Sequence, residues 1–152
     1  MGIRGISLEI NQKDPCILKG LLAPVCLERF VWFCPAWQEE VWSRPSGTLF
    51  FTQECYTGEE LNALVEVDHF VVFLRLEAYF SKIVNSEIET YADFKESSCQ
   101  MILLISDCEN VEFYIKDKNL LKNCLEEFSK NKKYKSIEYI TDENDSRTRM
   151  FF

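Results

Sequence analysis

Gln100–Asp107 (QMILLISD), Val111–Asp117 (VEFYIKD), Asn119–Lys130 (NLLKNCLEEFSK) and Tyr134–Thr141 (YKSIEYIT) follow one another in the last third of the chain and decide its fold. The first is an apolar run closed by a turn at Cys108-Glu109-Asn110. The second alternates apolar and polar residues, the pattern of a half-buried strand. In the third, Leu120, Leu121, Cys124, Leu125 and Phe128 recur along one helix face, as in an amphipathic helix laid on a sheet. The fourth alternates again. Strand, turn, strand, helix and strand in succession set the fold class, and none of them carries a catalytic motif.

Upstream the signals are shorter. Ile6, Leu8 and Ile10 share one face of a strand over residues 3–10. Asp14-Pro15 is a helix start, with an N-cap carboxylate and proline at the first position, and that short helix stops before Pro24. Arg29–Cys34 (RFVWFC) reads as a strand ended by Pro35, with Gln38–Trp42 as its hairpin partner. Ser46-Gly47 marks a turn, and Thr48–Thr52 a short extended piece. Thr57-Gly58-Glu59-Glu60 is a capping box that opens a helix with Leu61, Leu64 and Val65 inward. Phe70–Leu74 (FVVFL) is continuous enough for a central strand covered on both faces. Beyond it Arg75 and Glu77 point one way and Leu76 and Ala78 the other. Ser81–Glu89 reads as a loop and Tyr91–Ser97 as a short helix. The expectation is one α+β domain over residues 1–152: a mixed, mostly antiparallel sheet with three or four helices on it, and residues 142–152 as a loose tail.

Composition bounds the function. The 152 residues are 47% hydrophobic and 14% aromatic, with 5 Gly and 4 Pro, so the chain has the means to build a real core. No apolar run approaches the ~20 residues of a membrane span. The opening MGIRGISLEI has no basic segment followed by an apolar one, so a signal peptide is not expected and the address is cytoplasmic. Seven cysteines, an odd number with long gaps, fit that address and contain no C-x-x-C pair for zinc or redox work. The net charge of −8 opposes nucleic-acid binding, which depends on neutralising phosphates. Its distribution is uneven. Residues 1–115 hold 8 basic and 18 acidic side chains, whereas residues 116–135 hold 7 lysines and 3 acids. The chain is an acidic body with one basic corner.

The residues Gly5-Ile6-Ser7-Leu8-Glu9-Ile10, Val31-Trp32, Leu103-Leu104-Ile105-Ser106-Asp107-Cys108 with Tyr114, and Glu138-Tyr139-Ile140 through Glu143-Asn144-Asp145 resemble a family of small bacterial proteins, domain of unknown function 2691. The likeness runs over nearly the whole chain, and its motifs are strands and turns. It implies a bacterial cytosolic protein and transfers no catalytic residue. Residues 33–47 depart most from it and are read without analogy.

Chemical constellations are sparse. His69 is the single histidine, at the entry to an apolar strand, and reads as a strand-end residue bonded to backbone or water. Asp142-Glu143-Asn144-Asp145 fails as a calcium loop, because the sixth position is Arg147 and the twelfth lies beyond residue 152. Glu39-Glu40, Glu59-Glu60 and Glu126-Glu127 are neighbours that diverge rather than face each other. No G-x-G phosphate loop exists, and Ser106 lacks the glycines of a nucleophile elbow. No catalytic residue, metal ligand or cofactor is assigned.

Two groups remain as binding candidates. Trp32, Trp37 and Trp42 recur every five residues, a spacing that fits neither strand nor helix, so they cannot all enter one core. Trp32 belongs to the core, and Trp37 and Trp42 are candidates for an interface anchor. Lys130, Lys132 and Lys133, with Lys135, follow the last helix and are candidates, with Arg147, for an anion patch. The leading expectation is a non-catalytic cytosolic interaction protein that binds another protein, immunity- or inhibitor-like, with no nucleic acid and no membrane as partner. The alternative is a binder of a small nucleotide-like anion through the lysines, Arg147 or Arg149 and an aromatic. A cysteine- or carboxylate-dependent enzyme is the third reading.

Overall fold

The computed structural model describes residues 2–82 and 87–152. Eight strands form one antiparallel sheet: β1 (Ile3–Glu9), β2 (Val31–Phe33), β3 (Glu39–Ser43), β4 (Cys55–Thr57), β5 (His69–Tyr79), β6 (Cys99–Ser106), β7 (Asn110–Ile115) and β8 (Lys135–Thr141). The order across the sheet is β4-β2-β5-β6-β7-β1-β8, with β3 also on β5. Four α-helices accompany it: α1 (Ile17–Leu22), α2 (Gly58–Leu64), α3 (Tyr91–Glu96) and α4 (Lys118–Lys130). The class is α+β, and every named pairing is antiparallel. The loop expected at Ser81–Glu89 falls in part on residues 83–86, outside the described residues.

The closing unit forms where its periodicity places it. β6 and β7 pair tightly because Asp107 and Cys108 both adopt positive φ in the turn between them. On α4, Leu121, Cys124 and Phe128 are buried while Leu120 and Leu125 pack at the margin. Asp117 caps that helix, accepting from the Asn119 and Leu120 amides at 2.9 and 3.1 Å. The capping box at Thr57 and Glu60 is complete in both directions.

The sheet has two cores. On the first face, Ile6, Leu8, Val71, Leu76, Leu103, Ile105, Val111 and Phe113 meet the apolar stripes of α1, α2 and α4. On the second face a smaller cluster of Tyr79, Ile88, Phe94, Ile102, Leu104, Tyr114, Ile140 and Met150 lies beneath α3 and the C-terminal segment. β5 is covered on both faces only along its second half, from Leu74 to Tyr79.

Three expectations are corrected. First, Gln38–Trp42 is not the hairpin partner of β2. β2 and β3 lie in tandem on the same edge of β5 and run in the same direction. Phe33 faces Glu77 and Glu39 faces Leu74, so six steps along this edge match three along β5. The three surplus residues leave the ladder as a blister at Cys34–Gln38, and Trp37 sits in it at φ 67°. A period-two pattern marks a strand but does not name its neighbour. Second, residues 142–152 are not loose. Asp142 and Asp145 bind Arg4, Met150 is buried, and Gln38 exchanges two hydrogen bonds with the Phe152 backbone at 2.7 and 3.0 Å.

Third, Asp14 does not cap α1. Its carboxylate accepts from the Cys16 amide, and the helix begins at Ile17. The Leu18 amide in the first turn donates instead to Nε2 of His69, 3.1 Å away, while Nδ1 lies 2.6 Å from the Val67 carbonyl. An imidazole that accepts at Nε2 and donates at Nδ1 must be neutral. Burial lowers the His69 pKa from 6.5, opposed by the Val67 carbonyl and by Asp68 and Asp14, with Arg44 acting in the same direction as burial. The histidine is therefore a remote helix cap that works only without its second proton.

The sign follows from the unfolded chain binding a proton that the native state refuses. The stabilisation is whole above pH 6.5 and falls away as pH drops below that value. Urea unfolding at pH 7.5 and 5.0 checks this. The wild type should lose more stability on acidification than His69→Gln, and equal losses would disprove the neutral cap.

Candidate functional site

The blister at Cys34–Gln38 opens a gap between the sheet edge and the C-terminal segment. A cavity of about 610 Å3 occupies it on the second face, lined by Phe33, Pro35, Ala36, Gln38, Glu54, Arg75, Glu77, Glu87, Ile88, Glu89 and Phe151. Strand alternation puts Arg75, Glu77 and Tyr79 on this face.

The floor is a buried ion pair. Arg75 and Glu77 are 5% and 3% exposed, and Nε of Arg75 donates to Glu77 Oε2 at 2.9 Å. Arg75 Nη1 donates to the Met150 carbonyl at 2.7 Å, and the Tyr79 hydroxyl donates to the other Glu77 oxygen. Burial first, then the charge of Cys99 and Glu77, drives the Tyr79 hydroxyl pKa far up, so it stays a donor. The floor is thus close to neutral, with its charge consumed internally.

The rim is acidic. Glu54, Glu87 and Glu89 are exposed at the mouth. Glu54 also braces the blister: its side chain accepts from the Ala36 amide at 3.1 Å and its carbonyl from the Cys34 amide at 2.7 Å. The Cys34 thiol pKa is pushed up by burial above all and then by the charges of Glu39, Glu77 and Glu54. Burial likewise raises Glu39. Cys16, Cys99, Cys108 and Cys124 also hold their protons more tightly than a free thiol, burial being the largest cause in each. Among the described residues no group of three or more His, Cys, Asp or Glu could hold a metal ion. No helix among them is long and apolar enough to cross a membrane.

The three tryptophans part company. Trp32 is fully buried, its indole N–H on the Leu27 carbonyl at 3.0 Å. Trp42 is 40% exposed, bridges to Leu49 and donates to Glu40 at 3.0 Å. Trp37 is 93% exposed, on a backbone conformation that costs a non-glycine residue about 1–2 kcal/mol.

The basic candidates do not gather. Lys130 pairs with Glu127 on α4, and Lys132 is exposed. Lys133 and Lys135 border a separate cleft of about 500 Å3 with Lys13, Phe70, Glu9 and Glu109. Arg147 grips Glu112 at 2.8 Å and reaches over the Phe152 ring. It secures the C-terminal segment and does not join the lysines. The residues that sequence reasoning missed are Glu54, Glu87 and Glu89 with the Arg75–Glu77 floor. The one visible hint was Arg75 and Glu77 sharing a face next to an apolar strand.

The family model described as "Protein of unknown function (DUF2691)" matches residues 3–151. The chain belongs to the DUF2691 family. It is similar to the uncharacterized protein YncE of Bacillus subtilis (strain 168), with 29% identity over 153 residues, covering 95% of this chain and 96% of that protein. No solved structure gives a significant match. In this DUF2691 member the cleft joins residues of β2, β5, the Cys34–Gln38 blister and the C-terminal segment.

The ion pair that floors the cleft makes an energetic statement that can be checked. Removing one partner leaves the other charge buried and alone, a loss of about 3–5 kcal/mol, whereas replacing both by apolar residues of similar volume is nearly neutral. In chemical denaturation Glu77→Ala should therefore cost far more than the double change Arg75→Met with Glu77→Leu. Equal losses would mean that the pair is not desolvated.

Proposed function

We propose that this chain is a non-catalytic interaction protein that binds a basic surface of another protein, in the manner of an immunity or inhibitor protein. Trp37 carries the reading. A tryptophan exposed to 93% on a left-handed backbone adds nothing to the interior and costs free energy twice, through strain and through solvent contact. Such an outlier is accounted for when a partner desolvates the ring, and tryptophan is among the residues most often found as interface anchors. The net charge of −8 and the carboxylates at the cleft mouth favour a basic partner and speed its encounter. Trp42, half-exposed beside Leu49, lies on the same edge of β5 and extends the apolar surface available there.

The nucleotide-like anion reading rests on the second cleft, where Lys13, Lys133 and Lys135 surround Phe70. It is the weaker of the two, because Glu9 and Glu109 share that cleft and Arg147 is engaged elsewhere.

Affinity capture from native extract, run in parallel with wild-type and Trp37→Ala baits, tests the leading proposal. Trp37→Ala should change folding stability by no more than about 0.5 kcal/mol, as exposed substitutions do. A basic protein should be retained in equimolar amount by the wild type and lost by the variant. Identical retention on both baits would overturn the role given to Trp37.

A further inference from the structure

We propose that the open half of the sheet's second face binds a second copy of this chain about a twofold axis beside Phe73, with the lysines of each copy against the cleft carboxylates of the other. This pairing needs no other protein, so it stands or falls apart from the partner reading above.

The open half is apolar. Trp42 stands opposite Phe70 and bridges to Leu49, and residues directly opposite on neighbouring strands share a face. Val71 and Leu74 enter the first core, so Phe70 and Phe73 beside them point the other way, with a register shift in the β3–β5 ladder between them. The Phe152 ring packs edge-on against Phe73 at 5.4 Å. Trp42, Leu49 and Phe152 are 40%, 51% and 39% exposed, and Phe70 and Phe73 are half-buried. The cluster beneath α3 and Met150 takes up the other half of this face. A contiguous apolar patch left open in this way marks a contact surface.

Charge names the occupant. Strand β5 carries the face from Phe70, which borders the lysine cleft, to Glu77, in the floor of the other cleft, a run of roughly 20 Å. At the Phe70 end Glu9 and Glu109 offset two of Lys13, Lys133 and Lys135, and the balance is positive. Glu9 stands opposite Lys135 in the β1–β8 register, so Lys13 and Lys133 are the cations left to face outward. At the other end Arg75 and Glu77 cancel, which leaves Glu54, Glu87 and Glu89. Among the described residues no ion pair engages Lys13, Lys133, Glu87 or Glu89.

A face that is positive at one end, apolar in the middle and negative at the other complements itself when turned by half a revolution. A twofold contact requires this, because what residue i meets in j, j also meets in i. Lys13 and Lys133 of each copy then lie over Glu87 and Glu89 of the other. A uniformly basic partner suits the Glu77 end and is repelled at the Phe70 end, so it does not fit the whole face. The net charge of −8 on each copy opposes approach only at range, since exposed charges are screened within about 10 Å at 0.1 M salt.

Sedimentation equilibrium of the purified full chain tests the pairing. The average mass should rise with concentration toward that of two chains, with a Kd of about 10–100 μM, the strength of a small interface. Lys13→Glu with Lys133→Glu should weaken dimerisation about tenfold, and so should Glu87→Lys with Glu89→Lys, all four residues being exposed. An equimolar mixture of the two double variants should dimerise again, because opposite charges then meet across the axis at both ends. A chain that stays monomeric at about 1 mM overturns the proposal, as does a dimer indifferent to both charge reversals or a mixture that fails to recover. In the isotope-labelled chain the concentration-dependent shifts should fall on Trp42, Phe70 and Phe73. Shifts at β4 or β8 instead would mean that the copies meet by strand edges, which overturns the face assignment. A face that moves only when a Trp37-dependent partner is added belongs to that partner and overturns the second copy.

Discussion

Strand β5 borders β6 along one edge and both β2 and β3 along the other, so β2, β3 and, through β2, β4 join the rest of the sheet by way of it. Its alternation delivers Leu74, Leu76 and Ala78 to the first core and Arg75, Glu77 and Tyr79 to the second face. That one register decides several things at once. It buries an ion pair, leaves a mismatch of three residues on the opposing edge, and forces the surplus out as the loop that bears Trp37. Gln12 reinforces the same strand, its amide accepting from the Val71 N–H and donating to the Cys108 carbonyl, both at 2.8 Å.

Parts of this were readable in the chain and parts were not, and the boundary is physical. In the unit from Gln100 to Thr141, β6 and β7 form a hairpin and α4 announces itself by its stripe, so the elements appear within a residue or two of expectation, although β8 pairs with the distant β1. The capping box at Thr57 is a four-residue signal and survives intact. What the sequence conceals is contact across distance. His69 caps a helix whose amide is 51 residues away, Arg75 holds a carbonyl 75 residues away, and Gln38 pairs with a backbone 114 residues away. None of these leaves a periodic trace. The tandem arrangement of β2 and β3 is hidden for a related reason: a hairpin and an interrupted single edge have the same alternation. Trp37 and Trp42 were legible as oddities of spacing. The cleft beside Trp37 was not, because Glu54, Glu77, Glu87 and Glu89 come from separate segments that only folding assembles.

Charge is sorted by place as well as by sequence. The C-terminal segment is fixed by alternating ions, with Asp142 and Asp145 on Arg4, Arg4 over the Tyr91 ring at 4.1 Å, and Arg147 on Glu112. These contacts lower the Asp142 pKa, chiefly through its bond to Arg4. The lysines beyond α4 stand apart from this network, Lys133 and Lys135 bordering a cleft with Phe70, Cys108 and Glu109. Glu54, Glu87 and Glu89 leave the cleft that Ala36 and Gln38 border acidic at its mouth, whereas Glu9 and Glu109 offset the lysines at the other cleft.

The outer strands of the sheet carry a separate consequence. β4 is three residues long, and β8 is interrupted where Ser136 adopts φ 54° and its register against β1 slips by one. Lys135 and Glu138 are exposed on that same strand. Short, kinked and charged edges resist the addition of a further strand, whether from a second copy or from an extended peptide. A sheet this wide would otherwise invite edge-to-edge stacking and aggregation. With both margins blunted, recognition is directed away from backbone pairing and toward side chains presented by loops, where specificity depends on which groups meet rather than on how long a ladder can grow.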